Sequence, residues 1–430
     1  MIQGGQRGIR YNEGRGCAAF AETVVSSEKD TIGMGRGHLV IGQSGGATAV
    51  INASLVGAVR AAFAEDAIDS IYGARYGIEG VLRRDLVDLR QEPLGLWDAL
   101  LTTPSAALGS CRYRLREGDA ERAVTQLRDL GARYFLYIGG NDSADTAHQM
   151  ALAAREMDYD LRVICVPKTI DNDLPETDHC PGYGSAGRFL ALATMDSALC
   201  TESMPSHYPV KLIEVMGRDA GWLAATAALG KEREEDAPHL IYFPERPLSA
   251  ERFLRDVREA HARYGQVVAV VAETVRDEQG QSLGALGSQG TDAFGHPLLS
   301  GAAQYLVSLV RAELGLRARF DKPGDLQRMS SACVSETDRA EAEAVGRAAL
   351  RAAVAGETDK MVTLARAPGP EYACETGLTE LARVANTLRP MPEEFITPEG
   401  TGVTEAFRRY ALPLLGAALP QHARLVGVQA

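Results

Sequence analysis

The chain has 430 residues, more than one ordinary hydrophobic core accommodates, and is expected to divide into two domains of common size. Its 45% hydrophobic and 24% charged residues are the balance of a soluble globular protein. A net charge of −12 excludes nucleic acid as the natural partner, because a phosphate polyanion needs a basic face; any phosphate must be held by a local cluster of Arg, Lys, metal and backbone N–H groups.

Residues 1 to about 36 contain Gly, Arg and Glu without lasting periodicity and lack the apolar stretch of a signal peptide. They are expected to form a disordered extension, or to precede a true start at Met34; Glu13, Glu22, Glu28 and Asp30 argue against a transit peptide. From His38 the chain alternates short apolar runs with helical stretches. His38–Gly42 reads as a strand, and Gly45-Gly46 then turns into a helix over about Ala49–Ala64. Tyr134–Ile138 is a second strand, ending in Gly139-Gly140 and followed by a helix through about Arg155. Val163–Val166, Val210–Val215, Leu240–Phe243 and Val267–Ala272 complete the series. Continuous apolar strands separated by helices indicate parallel sheets covered on both faces, an α/β class. The seven cysteines (Cys17, Cys111, Cys165, Cys180, Cys200, Cys333, Cys374) are odd in number, scattered and free of any CxxC pair. That pattern argues against a disulfide framework or a zinc site and for a reducing cytoplasm. No apolar run reaches the roughly 18 residues of a membrane span, so no membrane partner is expected.

In such sheets ligands bind beyond the carboxyl ends of the strands. Four Gly-rich or polar loops sit there: Ser44–Gly46, Gly139–Ser143, Lys168–Asp173 and Met216–Arg218. Together they suggest one composite site. Either Gly pair alone serves equally well as a tight turn, whereas Gly backbone plus a following helix N-terminus suits an anion. Pro167–Asp173 (PKTIDND) is more specific. Two carboxylates two residues apart, with Thr169 and Lys168 upstream, suit a site that holds a metal-phosphate and deprotonates an alcohol. Asn172 fits a turn-forming role better. Arg218 beside Gly217 is placed to grip a phosphate with its planar fork, the alternative being a surface pair with Asp219. Arg319 and Arg328 are indistinguishable from surface arginines by themselves. His179 and His207 are as suited to loop hydrogen bonding as to catalysis, and Trp222 reads as a packing residue.

Taken in order, SGG at Ser44–Gly46, GGNDS, PKTIDND, EVMGRDAGW and the LQR of Leu326–Arg328 resemble the phosphofructokinase family from about His38 to Arg328. The resemblance implies two Rossmann-like three-layer α/β/α lobes facing each other across a cleft. The donor lobe would comprise residues 37–176 plus about 327–385, and the sugar-phosphate lobe residues 177–326 plus about 386–430. It implies that Gly45, Gly46 and Gly140 touch the donor, that Arg112 contacts the transferring or leaving phosphate, and that Asp171 is the base for the sugar's 1-hydroxyl. Thr169 and Asp173 would contact the sugar phosphate or the magnesium ion, and Met216, Gly217, Arg218 and Glu273 the acceptor. Arg319 and Arg328 would clamp its 6-phosphate. Asp142 and Lys168 stand where nucleotide-using members have Gly, which is the pattern of members that use pyrophosphate. The Asp142 carboxylate takes the space of a nucleotide's α-phosphate and repels it, and Lys168 stabilises charge on the leaving phosphate.

Three departures qualify the match. Asn141 replaces a magnesium-binding Asp, keeping an oxygen but losing a charge. Pro209 replaces an Arg that reaches a neighbouring subunit's substrate phosphate, for which Lys211 is a candidate substitute. Asp325 replaces a His at the 6-phosphate, with Lys322 the candidate to compensate. The expectation is a reversible magnesium-dependent transfer from pyrophosphate to fructose 6-phosphate, or to sedoheptulose 7-phosphate, in glycolysis and gluconeogenesis, by a homodimer or homotetramer. An ATP-dependent enzyme and a non-catalytic regulatory homologue remain alternatives. A nicotinamide-dependent dehydrogenase would need a GxGxxG turn, which Ser44–Val50 does not supply.

Overall fold

The computed structural model describes residues 35–286, 301–369 and 371–424, so the expectation for the N-terminal extension lies, up to Met34, outside the described residues. Five strands come first: β1 (Gly37–Gln43), β2 (Ile68–Ala74), β3 (Leu86–Asp88), β4 (Ala132–Gly139) and β5 (Arg162–Pro167). Four more build a separate sheet: β6 (Val210–Val215), β7 (Leu240–Tyr242), β8 (Val267–Ala272) and β9 (Ala318–Asp321), all parallel in the order β7-β8-β6-β9. The chain then returns to the first sheet with β10 (Lys360–Arg366) and β11 (Cys374–Glu380), giving the order β11-β10-β5-β4-β1-β2-β3. Only the edge pairs β10–β11 and β2–β3 are antiparallel there.

The alternation of side chains along a strand explains the layering. Leu39, Ile41, Leu136, Ile138, Ile164 and Val166 share one core with the helices Ile51–Phe63 and Glu336–Val354. Val40, Phe135, Tyr137, Val163 and Cys165 point the other way, against the helices Asp119–Leu130 and Asn141–Glu156. Both faces are apolar, which is why these strands read as unbroken hydrophobic runs. The smaller sheet is covered in the same manner by a core that includes helices Tyr183–Glu202, Ala250–Tyr264 and Ala302–Leu309. Residues Phe407–Leu415, near the C-terminus, also join that core. Two α/β lobes result, as the sequence implied.

The helix expected after Ser335 is present, and its start is chemically defined: Ser335 Oγ accepts the Asp338 N–H at 3.3 Å. Asp338 in turn accepts from the Gly182 and Ser185 N–H groups at 2.8 and 2.9 Å, capping the helix that leads into the smaller sheet. Helices Ile51–Phe63 and Glu336–Val354 cross with almost no gap. A Cβ on Gly346 would fall 1.9 Å from the Ser54 carbonyl oxygen, and one on Gly57 would fall 2.0 Å from that of Glu343. Backbone cannot yield as a side chain can. Gly346→Ala is therefore expected to destabilise the protein by about 3 kcal/mol, read as a lowered thermal midpoint against wild type.

Candidate active site

Parallel strands all present their carboxyl ends on one side of a sheet, and here both sheets aim those ends at a shared cavity of about 350 Å³. From the larger sheet, β1 delivers Gly45 and Gly46, β4 delivers Gly140, Asn141, Asp142 and Ser143, and β5 delivers Lys168, Thr169, Asp171 and Asp173. From the smaller one, β6 delivers Met216 and Arg218, and β8 delivers Glu273. Arg112 and Arg328 complete the wall. Gly217 separates Met216 from Arg218 and is not among the lining residues, but its φ of 144° followed by a φ of 49° at Arg218 makes the turn that presents the guanidinium.

The glycine loop works by close approach. Gly45 has φ 76°, and a Cβ on Gly46 would meet Arg328 Nη1 at 2.5 Å. Lys168 reaches back to this loop, donating from Nζ to the Gly46 carbonyl at 2.9 Å. The helix Asn141–Glu156 starts immediately after Gly140, so its first N–H groups, which have no carbonyl a turn behind them, open toward the cavity. The helix after Gly46 begins only at Ile51, two residues later than the sequence suggested. Anion contacts in that loop would therefore come from the Gly45-Gly46 backbone and not from a helix end.

The charges are set close together in a partly dry space. Arg218 Nε lies 3.6 Å from Asp171 Oδ2, and Arg218 Nη2 lies 3.9 Å from Asp142 Oδ2. Arg114 holds the other Asp142 oxygen at 2.9 Å. Burial raises the Asp171 carboxyl to about 7, the neighbouring Asp173 adding to the effect and Arg218 opposing it. Asp173 is also raised, chiefly by burial, and Glu273 by burial and then by Glu214. Burial lowers Lys168 to about 8, against the attraction of Asp171 and with help from Arg328 and Arg218. A carboxyl that titrates near neutrality beside a buried ammonium and a guanidinium is equipped to take a proton from an alcohol and to hold a phosphate.

Other expected residues lie elsewhere. Arg319, on β9, is outside the cavity of its own chain, and its guanidinium carbon sits 3.2 Å from the Tyr208 ring centroid. Lys211 does not reach the site either; its Nζ is 2.8 Å from Asp321 Oδ2. Lys322 pairs with Glu214 at 2.6 Å, and Asp325 is neutralised instead by Arg328 at 2.8 Å. Lys211, expected to reach a substrate phosphate, is engaged by Asp321, and Lys322, expected to offset Asp325, is engaged by Glu214. Asn141 lines the cavity, but its amide is taken at both ends: Oδ1 accepts the Asn386 N–H at 2.8 Å and Nδ2 donates to the Thr387 carbonyl. Asn172, with φ 55°, holds the turn by accepting from the Cys180 N–H and donating to the Tyr410 hydroxyl.

His179 is buried away from the cavity, bonded through its two nitrogens to Asp178 and Glu341. Burial alone would lower its pKa; the two carboxylates outweigh that and raise it to about 9, so it is an imidazolium in a structural network. Its Nε2, a Glu341 oxygen and the Cys374 sulfur lie within 4.8 Å of one another, yet the 2.7 Å separation of Nε2 from Glu341 Oε2 is that of a charge-assisted hydrogen bond. His207 is exposed and bonds Ser206. Trp222 is buried, as a packing residue should be.

The chain matches the family model for phosphofructokinase over residues 38–353. The chain belongs to the phosphofructokinase family. Among its relatives, a pyrophosphate–fructose 6-phosphate 1-phosphotransferase of Xanthomonas campestris pv. campestris is 40% identical over 393 residues, covering 90% of this chain and 93% of that one. Its counterpart in Halomonas elongata is 41% identical over 380 residues, covering 87% and 90%. The crystal structure of a pyrophosphate-dependent phosphofructokinase from Nitrosospira multiformis superposes with a TM-score of 0.81 at 37% identity, covering 90% of this chain and 94% of that one. No helix among the described residues of this phosphofructokinase is long and apolar enough to cross a membrane. Sequence reading missed Arg114 as the counter-ion of Asp142, although it lies two residues beyond Arg112. It also missed the segment around Arg389, for which no local signal exists.

Proposed function

We propose that the chain transfers a phosphoryl group from pyrophosphate to the 1-hydroxyl of fructose 6-phosphate, giving fructose 1,6-bisphosphate and phosphate. The observation that carries this reading is the pair Asp142 and Lys168 on the donor side of the cavity. Asp142, already flanked by Arg114 and Arg218, keeps a carboxylate where a longer donor would place another phosphate. Lys168 holds an ammonium against the Gly45-Gly46 loop, where it meets the oxygens of a short inorganic donor.

The mechanism uses these groups in turn. The N–H groups of Gly45, Gly46 and the start of helix Asn141–Glu156 bind donor oxygens, with Arg112 and Lys168 supplying charge. Asp171 takes the proton of the sugar's 1-hydroxyl as its oxygen attacks the distal phosphorus in line. Arg218 favours the ionised form of that carboxylate and orients the phosphoryl group, and Lys168 and Arg112 stabilise the departing orthophosphate. Met216, Glu273 and Thr169 shape the acceptor pocket, and Arg328, braced by Asp325, binds its 6-phosphate. The buried carboxylate of Asp173 is a hard-oxygen donor that fits magnesium, an ion that keeps one or two protein carboxylates and otherwise prefers phosphate and water, and it leaves Asp171 as the base. When bound, it would neutralise pyrophosphate charge and polarise the phosphoryl oxygens. Asn141 is a poorer candidate ligand than expected, its amide being engaged by Asn386 and Thr387.

We assign residues 37–176 with about 327–385 to the donor lobe and residues 177–326 with about 386–430 to the acceptor lobe; of these, 287–300, 370 and 425–430 lie outside the described residues. Arg319 lies outside its own chain's cavity and so fits a clamp supplied to a second copy in a homodimer or homotetramer. The six described cysteines are all free, which suits the cytoplasm, where a reversible step would serve glycolysis and gluconeogenesis. The donor assignment is tested by the double variant Asp142→Gly/Lys168→Gly. Pyrophosphate-supported kcat/KM should fall about 10³-fold and turnover with ATP should appear or increase. Unchanged use of both donors would remove the basis of the assignment.

A further inference from the structure

The segment Asn386–Met391 touches three of the loops that build the cavity, and Arg389 is its centre. Its backbone N–H donates to the Asp173 carbonyl at 2.8 Å. Its guanidinium spans three more carbonyls: Nη2 donates to Asn172 at 2.7 Å, and Nη1 donates to Thr177 and to Asp178 at 2.8 Å. The guanidinium carbon also lies 4.7 Å from the ring centroid of Trp222, whose Nε1 donates to the Arg389 carbonyl at 3.2 Å. Trp222 closes the loop that carries Met216 and Arg218. Glu245 adds a second tie on that side, with one oxygen accepting from both the Gly221 and the Met391 N–H groups. On the donor side Asn386 and Thr387 hold Asn141, and Asn386 also donates to Asp145 at 2.9 Å.

We infer that Arg389 is a positioning residue for phosphoryl transfer: it fixes the Asp171–Asp173 carboxylates of one lobe against the Arg218 loop of the other. This rests on the functional reading above. The link is physical. Asn172 lies between the two acidic residues in a left-handed conformation that is costly to hold, and the carbonyls of Asn172 and Asp173 are both pinned by Arg389. The same guanidinium lies over the Trp222 ring, so a displacement of either loop relative to the other breaks contacts at a single group. Lysine keeps the charge but has no planar fork to span carbonyls in fixed directions.

Arg389→Ala and Arg389→Lys in the full chain test the inference by steady-state kinetics with pyrophosphate and fructose 6-phosphate. Both are expected to lower kcat by about 10²-fold, with KM for either substrate changed by less than about threefold. Dilute guanidinium should restore part of the kcat of Arg389→Ala without changing wild type. With Trp97→Phe as background, Trp222 is the sole tryptophan, and its emission should change on loss of Arg389. If Arg389→Ala does not fold, Arg389→Lys carries the same kinetic test. Variants that keep kcat within about twofold, or that change only KM, would overturn the inference. Absence of wild-type turnover with pyrophosphate would instead overturn the donor assignment, and the Arg389 series would then be read with the nucleotide donor.

Discussion

Asp171→Asn is expected to lower kcat for phosphoryl transfer by about 10³- to 10⁴-fold while leaving KM for the sugar phosphate nearly unchanged. The substitution preserves size and hydrogen-bonding reach but removes the ability to accept a proton. Asp171 is well suited to the task because burial and Asp173 raise its pKa to about 7, while Arg218 at 3.6 Å opposes the rise and favours the carboxylate. A weaker base would take the proton poorly, and a stronger one would already be protonated. Initial rates of phosphate release at saturating substrates decide the matter. A variant with more than about a tenth of wild-type kcat would show that another group is the base.

Lys168→Met should lower kcat with pyrophosphate by about 10³-fold, because the transition state spreads negative charge over oxygens that this ammonium faces. Methionine keeps much of the buried stem, so the loss reports the charge. Burial lowers the Lys168 pKa to about 8, so the ammonium form still predominates at neutral pH and is desolvated enough to act strongly. The contact with the Gly46 carbonyl at 2.9 Å holds it on the donor side. Retention of kcat with a raised KM for the sugar phosphate would move Lys168 from the donor to the acceptor.

How far the sequence reveals this molecule depends on how local each feature is. Strands β1 and β4 to β8 are legible because both faces are largely buried and each carries a predominantly apolar run. Strands β2, β3, β9, β10 and β11 are not. In β11, an edge strand, most residues of Cys374–Glu380 are exposed or half-buried, so polar and apolar residues mix without a hydrophobic run. β9 is only four residues long and carries Arg319 and Asp321. Site residues that follow a strand directly, from Gly45 to Glu273, are legible for the same reason: topology brings strand ends together. Side-chain partnerships are not local. Nothing in the text around Lys211 or Lys322 announces that Asp321 and Glu214 will claim them. Arg389 lies between Leu388 and Pro390, and its partners at Asn172 and Trp222 are 217 and 167 residues away in the chain.

The most direct test compares initial rates of the unmodified enzyme with pyrophosphate and with ATP, using fructose 6-phosphate as acceptor and titrating magnesium. The site described here predicts magnesium-dependent turnover with pyrophosphate and at least about 10²-fold lower kcat/KM with ATP. Efficient turnover with ATP and none with pyrophosphate would contradict it.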